Sequence, residues 1–189
     1  MTTAAIHRDH ATFRVILQAT SCPGKGFALP VSPENTSQQA AMIRMLGCLM
    51  DNEVTFTIIG DVDNIMADAL AYHTGSTRTD VSEADFVLAR QGATDGLLTT
   101  IKRGTLEYPD KGATVLYLID DITDEGGAAA LTGPGINGTV RPSFTGLAAG
   151  ELAGLREANA EYPLGVDAVF LDKSGRIACI PRSTRIGGN

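Results

Sequence analysis

Ala113-Thr114-Val115-Leu116-Tyr117-Leu118-Ile119 is the most apolar strand-like stretch of the chain. Its apolar residues do not alternate with polar ones, so neither face of the strand is suited to water. Strands of this kind lie inside sheets that are covered on both sides. The stretch therefore predicts a sheet with other layers packed against both faces.

Helical and strand patterns alternate on the N-terminal side of this stretch. The spacing predicts a short helix from Asp9 to Cys22-Pro23-Gly24, and a longer helix that begins at Ser37. A β-branched strand follows at 54–59, and a helix runs from Asp63 to near Gly75. Phe13, Ile16 and Leu17 are expected on one face of the first helix, and Phe27 to Val31 as a short strand.

Strand patterns dominate on the C-terminal side. We expect a strand at 85–90, a helix ending at Gly104, and entry of Ala128–Leu131 into the sheet. A helix carries Leu152 and Leu155, and a hairpin joins 166–171 to 176–180 across Asp172-Lys173-Ser174-Gly175. These elements predict an α/β fold, a single domain over 1–189 whose mixed sheet is flanked by helices.

Composition limits the functions that the chain can have. Of its 189 residues, 43% are hydrophobic and 20% charged, which is typical of a globular protein. The net charge of −7 argues against a nucleic-acid partner, and no apolar run is long enough to span a membrane. The polar N-terminus does not resemble a signal peptide, so we expect a cytoplasmic protein.

Cysteine and histidine usage gives no sign of a metal site. The three cysteines are widely spaced and odd in number, which favours reduced thiols. Neither a CxxC nor an HExxH motif occurs, and only three histidines are present. We therefore expect no bound metal.

Two short phrases of the C-terminal third contain the candidate binding residues. In the first, Thr132-Gly133-Pro134-Gly135, backbone N–H groups around Thr132, Gly133 and Gly135 could hold a phosphate or phosphonate. The alternative is a tight turn after a strand, and Pro134 removes one of the donors. Neither a Walker loop nor a dinucleotide fingerprint occurs in the chain.

The second phrase is Ile180-Pro181-Arg182-Ser183-Thr184. Arg182, Ser183 and Thr184 combine a guanidinium with hydroxyls, which suits a phosphate oxyanion or a carboxylate of a partner protein. The alternative is a solvated strand end. If the group binds a partner or ligand, Arg182→Ala should weaken assembly or activity more than it lowers the melting temperature.

His73, in Tyr72-His73-Thr74-Gly75, is the one candidate for a catalytic residue. Its imidazole could act as an acid or base near neutral pH. The alternative is a histidine at the C-terminal end of a helix, where the helix dipole favours it. The sequence identifies no other catalytic residue.

Seven phrases in a fixed order resemble the PhnH family, the H subunit of bacterial carbon–phosphorus lyase systems. They lie at 13–14, 19–24, 72–75, 85–86, 131–136, 162–167 and 180–184. The resemblance implies a core complex with the G, I and J subunits, and a homodimer when the chain is isolated. It also implies a fold related to the large domain of pyridoxal-phosphate-dependent transferases, without that cofactor.

The resemblance further implies a reaction in which phosphonate displaces the purine of a nucleoside triphosphate, giving ribose 1-phosphonate 5-triphosphate. The residues agree with the missing cofactor, because a Schiff base needs a sheltered lysine and all four lysines are predicted to be solvated (Lys25, Lys102, Lys111 and Lys173).

Three functional hypotheses stay open at this point. In the first, the chain is a subunit that is inactive alone, and its glycine-proline corners form a docking face with Arg182 as an anchor. In the second, it is a stand-alone phosphonate- or nucleotide-binding enzyme. In the third, it is a structural dimer that pairs with itself.

Overall fold

The fold is built around a mixed sheet, which the computed structural model describes within residues 3–30 and 37–188. The helices there are α1 (Thr3–Ser21), α2 (Gln38–Leu46), α3 (Ile65–Thr74) and α4 (Glu151–Ala158). The first strands are β1 (Phe27–Ala28), β2 (Thr55–Ile59), β3 (Thr77–Arg78), β4 (Phe86–Ala89) and β5 (Thr114–Leu118). The remaining strands are β6 (Asp121–Thr123), β7 (Ala130–Thr132), β8 (Ser143–Thr145), β9 (Asp167–Leu171), β10 (Arg176–Ile180) and β11 (Arg185–Gly187).

Seven strands form the main sheet in the order β1-β10-β9-β5-β4-β2-β3. Strands β9, β5, β4, β2 and β3 are parallel to one another. Strand β10 pairs antiparallel with β9, and β1 pairs antiparallel with β10. The hairpin between β9 and β10 is confirmed, as is the mixed character of the sheet.

Strand β5 lies inside the sheet and is covered on both faces, as its sequence predicts. Val115 and Tyr117 belong to the apolar cluster on one face, and Leu116 and Leu118 to the cluster on the other. All four side chains are buried. The unbroken apolar run of β5 therefore contributes side chains to two separate cores, one on each face of the sheet.

The two faces carry different layers. Residues of α1, α2 and α3 pack on one face. The other face is covered by α4 and by two separate two-stranded ribbons, β6 with β8 and β7 with β11. The sheet is therefore flanked by helices on both sides, and the second side also carries the ribbons.

The N-terminal helix departs from the prediction in its start and in its buried face. It begins at Thr3 rather than Asp9, and Phe13 and Leu17 are exposed, whereas Ile16 is buried. The apolar spacing was right for a helix, but the buried face is rotated and consists of Thr12, Ile16 and Ala19. Strand β1 is confirmed at Phe27–Ala28, and the predicted strand end at Val31 lies outside the described residues.

Two predictions for the second half of the chain are wrong. Residues 128–131 do not enter the main sheet, because β7 pairs with β11 in a ribbon of its own. The helix expected before Gly104 is a single 3-10 turn at Leu97–Thr99. In both cases only part of the apolar pattern is buried: Leu131 in the first segment, Leu98 and Ile101 in the second.

A buried carboxylate fixes the start of α4 to the sheet. Glu151 accepts hydrogen bonds from the Thr94 amide (2.8 Å), the Thr94 hydroxyl (2.9 Å) and the Tyr117 hydroxyl (2.8 Å). Burial and the adjacent Glu151 carboxylate raise the pKa of Tyr117 above its ordinary value, so its hydroxyl stays a donor. Helix α4 is therefore anchored at its N-terminal end, while its C-terminal end forms part of the site described next.

None of the helices within the described ranges is long and apolar enough to cross a membrane.

Candidate functional site

A cleft of about 640 Å³ opens between the end of α4 and the ribbon of β7 and β11. Its lining residues come from three short segments of the C-terminal third, 133–134, 156–162 and 182–186. They are Gly133, Pro134, Arg156, Asn159, Ala160, Tyr162, Arg182, Ser183, Thr184, Arg185 and Ile186. Both phrases singled out in the sequence for binding, 132–135 and 180–184, therefore contribute residues to one cleft.

Pairing of β7 with β11 brings the two phrases together. Thr132 lies opposite Arg185 in the antiparallel register, so the corner after β7 meets the turn before β11. Gly133 has a φ of +135°, and a Cβ built on it would be 3.1 Å from the carbonyl oxygen of Ser183. Glycine is required there because of both the backbone angle and the close approach.

Arg182 is committed to bonds within the chain. Its Nε and Nη2 atoms donate to the Asp167 carboxylate at 3.1 and 2.6 Å. Nη1 donates to the carbonyl of Pro109 at 2.6 Å, and Nη2 to that of Gly112 at 3.3 Å. With its side chain 14% exposed, Arg182 lines the cleft but acts as a clamp between distant segments.

Two polar atoms of the cleft residues are buried without a partner. The hydroxyl of Thr184 and the side-chain nitrogen of Asn159 have no hydrogen-bond partner among the residues that the structure describes. Thr184 is 4% exposed. The Asn159 oxygen, in contrast, accepts from the Val166 amide at 2.8 Å. Unpartnered buried donors are rare in folded proteins and call for an explanation.

The guanidinium groups of Arg156 and Arg185 differ from that of Arg182. Both residues are exposed, and neither side chain has an ion-pair or hydrogen-bond partner within residues 3–30 and 37–188. Tyr162, also exposed, contributes the aromatic ring of the cleft. The cleft therefore offers two uncommitted positive charges beside an accessible aromatic ring.

Thr132 and Gly135 lie close to the cleft without lining it. Thr132 belongs to β7. Gly135 has a φ of +80° and packs against the carbonyl of Ser21 at the end of α1. The Ile136 amide donates to the Gly133 carbonyl at 3.2 Å, which is the hydrogen bond of a tight turn.

His73 is not brought to the cleft. It is exposed in the last turn of α3, in the helical layer on the opposite face of the sheet. Its ring contacts that of Tyr72 edge-to-face, with 5.5 Å between centroids. The dipole of α3 favours a histidine at that position, in agreement with the structural interpretation of the sequence.

Other ionisable groups lie elsewhere and serve the core. Lys102 is half-buried rather than solvated, because its amine donates to Asp85 at 2.5 Å and to the carbonyl of Glu83 at 2.9 Å. Burial raises the pKa of the Cys179 thiol to about 12. No cluster of three His, Cys, Asp or Glu side chains suited to a metal ion is found in the part of the chain described.

Sequence reasoning found part of the lining and missed the rest. Of the candidate residues, Gly133, Arg182, Ser183 and Thr184 line the cleft. Arg156 and Asn159 were missed, since nothing local shows that the end of α4 packs beside a ribbon whose strands lie before (β7) and after (β11) it in sequence. Their spacing of three places them on one helical face, which is the only signal that the sequence carries.

Comparisons with known proteins agree on a family. The family model for PhnH, a bacterial phosphonate metabolism protein, matches residues 2–187. The putative C-P lyase subunit protein HtxG of Stutzerimonas stutzeri is 31% identical over 182 residues. That similarity covers 95% of this chain and 86% of HtxG.

Proposed function

The chain belongs to the PhnH family of bacterial phosphonate metabolism proteins, and on that premise we propose that it is a subunit of a carbon–phosphorus lyase core complex. The complex joins a phosphonate to a nucleoside triphosphate. A phosphonate oxygen bonds to the ribose C1′, the bond from C1′ to the purine breaks with its electron pair leaving on the purine nitrogen, and that nitrogen takes up a proton. The product is a ribose 1-phosphonate 5-triphosphate.

The family match over nearly the whole chain is the observation that carries this proposal. The similarity to a putative C-P lyase subunit points in the same direction and covers most of both chains. By the same inference, the partners are the G, I and J subunits, the isolated chain is a homodimer, and the location is cytoplasmic.

The chemistry of the cleft favours a subunit over a self-sufficient enzyme. Its described lining contains guanidiniums, hydroxyls and one amide, but no carboxylate, imidazole or thiol. Such a set can bind an anion, but it lacks a general base to move a proton. The proposal therefore assigns proton transfer to groups of other subunits.

We expect this domain, taken as 1–189, to have the transferase-like fold without pyridoxal phosphate, and the lysines support the missing cofactor. A Schiff base requires a sheltered lysine amine that is free to react. The Lys102 amine donates to the Asp85 carboxylate, and Lys173 is 70% exposed and ion-paired with Asp120. Lys25 and Lys111 are exposed as well.

Reconstitution tests the proposed function. Purified G, I and J subunits are incubated with ATP and methylphosphonate, with and without this chain, and adenine release is followed by chromatography. Release that requires the chain supports the proposal. Equal release without it would contradict the proposal, and so would normal growth of a strain lacking its gene on methylphosphonate as sole phosphorus source.

The cleft itself favours a second candidate, a stand-alone phosphonate- or nucleotide-binding enzyme. Its walls come from this chain alone, and its volume is within the range of small-molecule sites. Adenine release by the purified chain in the absence of the other subunits would establish this candidate over the first.

A further inference from the structure

The charge of the cleft is opposite to that of the chain. The protein carries a net charge of −7, yet three of the cleft residues are arginines and none of the described lining residues is acidic. A concave surface lined by one sign of charge concentrates its field and attracts ions of the opposite sign. The local field of this cleft therefore selects anions.

Two of the three guanidiniums are available for a ligand. Arg182 is bound to Asp167 and to two carbonyls, whereas Arg156 and Arg185 have no side-chain partner among the described residues. Elsewhere in the chain, four arginines form ion pairs with acidic residues (Arg78, Arg90, Arg103 and Arg176). Of the two unpaired arginines, Arg156 belongs to α4 and Arg185 to β11.

The buried donors add neutral groups to these charges. The Thr184 hydroxyl and the Asn159 amide nitrogen both can donate a hydrogen bond, and neither has an acceptor in the described structure. Both atoms are almost free of solvent contact, so a small rotation of each side chain would be needed to meet a ligand. Donors without acceptors suit an anion better than a cation or an apolar group.

We propose that this cleft binds the phosphorus oxyanion of a nucleoside triphosphate or a phosphonate, with Arg156 and Arg185 as its charged contacts and Thr184 and Asn159 as neutral donors. Guanidinium groups match the tetrahedral oxygens of such groups. Because α4 ends at the cleft, its terminal carbonyls disfavour an anion, and the two guanidiniums must outweigh them. The choice of these two ligands rests on the proposed function, while the anion class rests on the cleft alone.

The ring of Tyr162 favours the nucleotide of the two ligands. It is 66% exposed and belongs to the same cleft. An accessible aromatic ring can stack on a purine. Methylphosphonate has no group that could use it.

Titration calorimetry of the full chain, alone and copurified with its partner subunits, tests the proposal with ATP and with methylphosphonate as probes. We expect Arg156→Ala and Arg185→Ala each to weaken binding about tenfold, which corresponds to about 1.4 kcal/mol. The double variant should lose binding. Arg14→Ala is the matched control, because it removes an exposed charge on α1 outside the cleft.

Thr184→Val gives a test that is independent of charge. Since the hydroxyl has no partner in the described chain, its removal should leave thermal stability unchanged or raise it. We expect ATP affinity to fall about three- to tenfold nonetheless. Unchanged affinity would show that the hydroxyl does not meet the ligand.

The outcomes distinguish a nucleotide from a phosphonate as the bound anion. They also distinguish failure of the anion site from failure of the proposed function. Binding of ATP alone supports a nucleotide site, and binding of methylphosphonate alone supports a phosphonate site. The inference is overturned by absence of binding in both forms of the protein, or by equal losses in Arg14→Ala. It is also overturned if the variants lose only subunit assembly, since the arginines would then bind a partner's carboxylates. Adenine release that still requires the chain would in each case leave its role as a subunit standing.

Discussion

Arg182 lies in the turn before β11 and Arg185 begins that strand, yet the two side chains have different surroundings. The Arg182 guanidinium is almost enclosed and bonded to Asp167, Pro109 and Gly112. Arg185, three positions later, is exposed on an edge strand without a side-chain partner in the described residues. The sequence pointed to Arg182 as the anchor, and in the structure its guanidinium is bonded within the chain, whereas that of Arg185 is not bonded to any described residue.

We therefore expect Arg182→Ala to destabilise the fold. Loss of the guanidinium removes both hydrogen bonds to Asp167 Oδ2 and the bonds to the Pro109 and Gly112 carbonyls, while the main-chain amide of residue 182 still donates to Asp167 Oδ1. This loss should lower the free energy of unfolding by about 2–4 kcal/mol. Urea titration measures the change. Arg185→Ala is the control, because an exposed, unpaired side chain should change stability by less than about 0.5 kcal/mol. Equal stability of the two variants would contradict the clamp and return Arg182 to the role of a surface anchor.

The Asp85 carboxyl contributes to the stability of the fold in a way that depends on pH. Burial acts to raise the pKa of its carboxyl, but hydrogen bonds from Lys102 and Thr55 outweigh burial and hold that pKa below the ordinary 3.8. A carboxyl whose pKa is lower in the folded than in the unfolded state stabilises the fold at pH values above its unfolded-state pKa. That contribution disappears as the pH falls through its folded-state pKa.

We expect Asp85→Asn to reduce stability at pH 5 to 7 and to approach the parent chain below about pH 4. Denaturant unfolding from pH 2 to 7 measures the gap between the two proteins. Asp110→Asn, at an exposed position without a side-chain partner in the described structure, should show no such convergence. A gap that stays constant for Asp85→Asn would contradict the assignment.

At the scale of elements, the corner after β7 is packed against the end of α1. Gly135 and Gly138 have the same φ of +80°, but their surroundings differ. A Cβ on Gly135 would clash with the Ser21 carbonyl and lie 2.9 Å from Pro23, whereas a Cβ on Gly138 meets nothing within 4 Å. The pair separates backbone strain from close packing.

Gly138→Ala should cost about 1–2 kcal/mol, the penalty of a left-handed backbone for a residue with a Cβ. Gly135→Ala should cost about 1–3 kcal/mol more, because the helix end and the corner must move apart. Thermal unfolding of both variants gives the comparison. Matching melting temperatures would show that the corner does not need its contact with α1.

The elements that the sequence predicted correctly are those whose signals are local. The run of β5 and the hairpin of β9 and β10 are defined by neighbouring residues, and both are confirmed. The ribbon of β7 and β11 joins residues more than 50 positions apart, so the pattern of 128–131 could not indicate its partner. The cleft depends on that ribbon, and for this reason its Arg156 and Asn159 wall was not predicted.

At the scale of the whole molecule, one sheet separates two apolar cores that are covered by different elements. Three helices cover one face, while α4 and the ribbons cover the other. Strand β5 contributes side chains to both cores, so loss of either core exposes the same strand. The two layers are thus expected to unfold together as a single domain.

Two spectroscopic probes of denaturation should therefore report the same single unfolding transition. The far-UV circular dichroism comes largely from α1, α2 and α3, whereas buried Tyr117 on the other face should dominate the near-UV signal in a chain without tryptophan. We expect both signals to have the same midpoint. Midpoints that differ would show that the layers unfold separately and would contradict the single domain.

The clamp formed by Arg182 also sets a rule for how relatives of this chain can differ. Its acceptors at Pro109 and Gly112 are main-chain oxygens, which every amino acid provides. The clamp therefore places no requirement on which side chains occupy the loop from 105 to 111. An insertion or deletion there, however, would shift both oxygens relative to the turn at 181–184, so we expect natural variants to preserve the length of this loop.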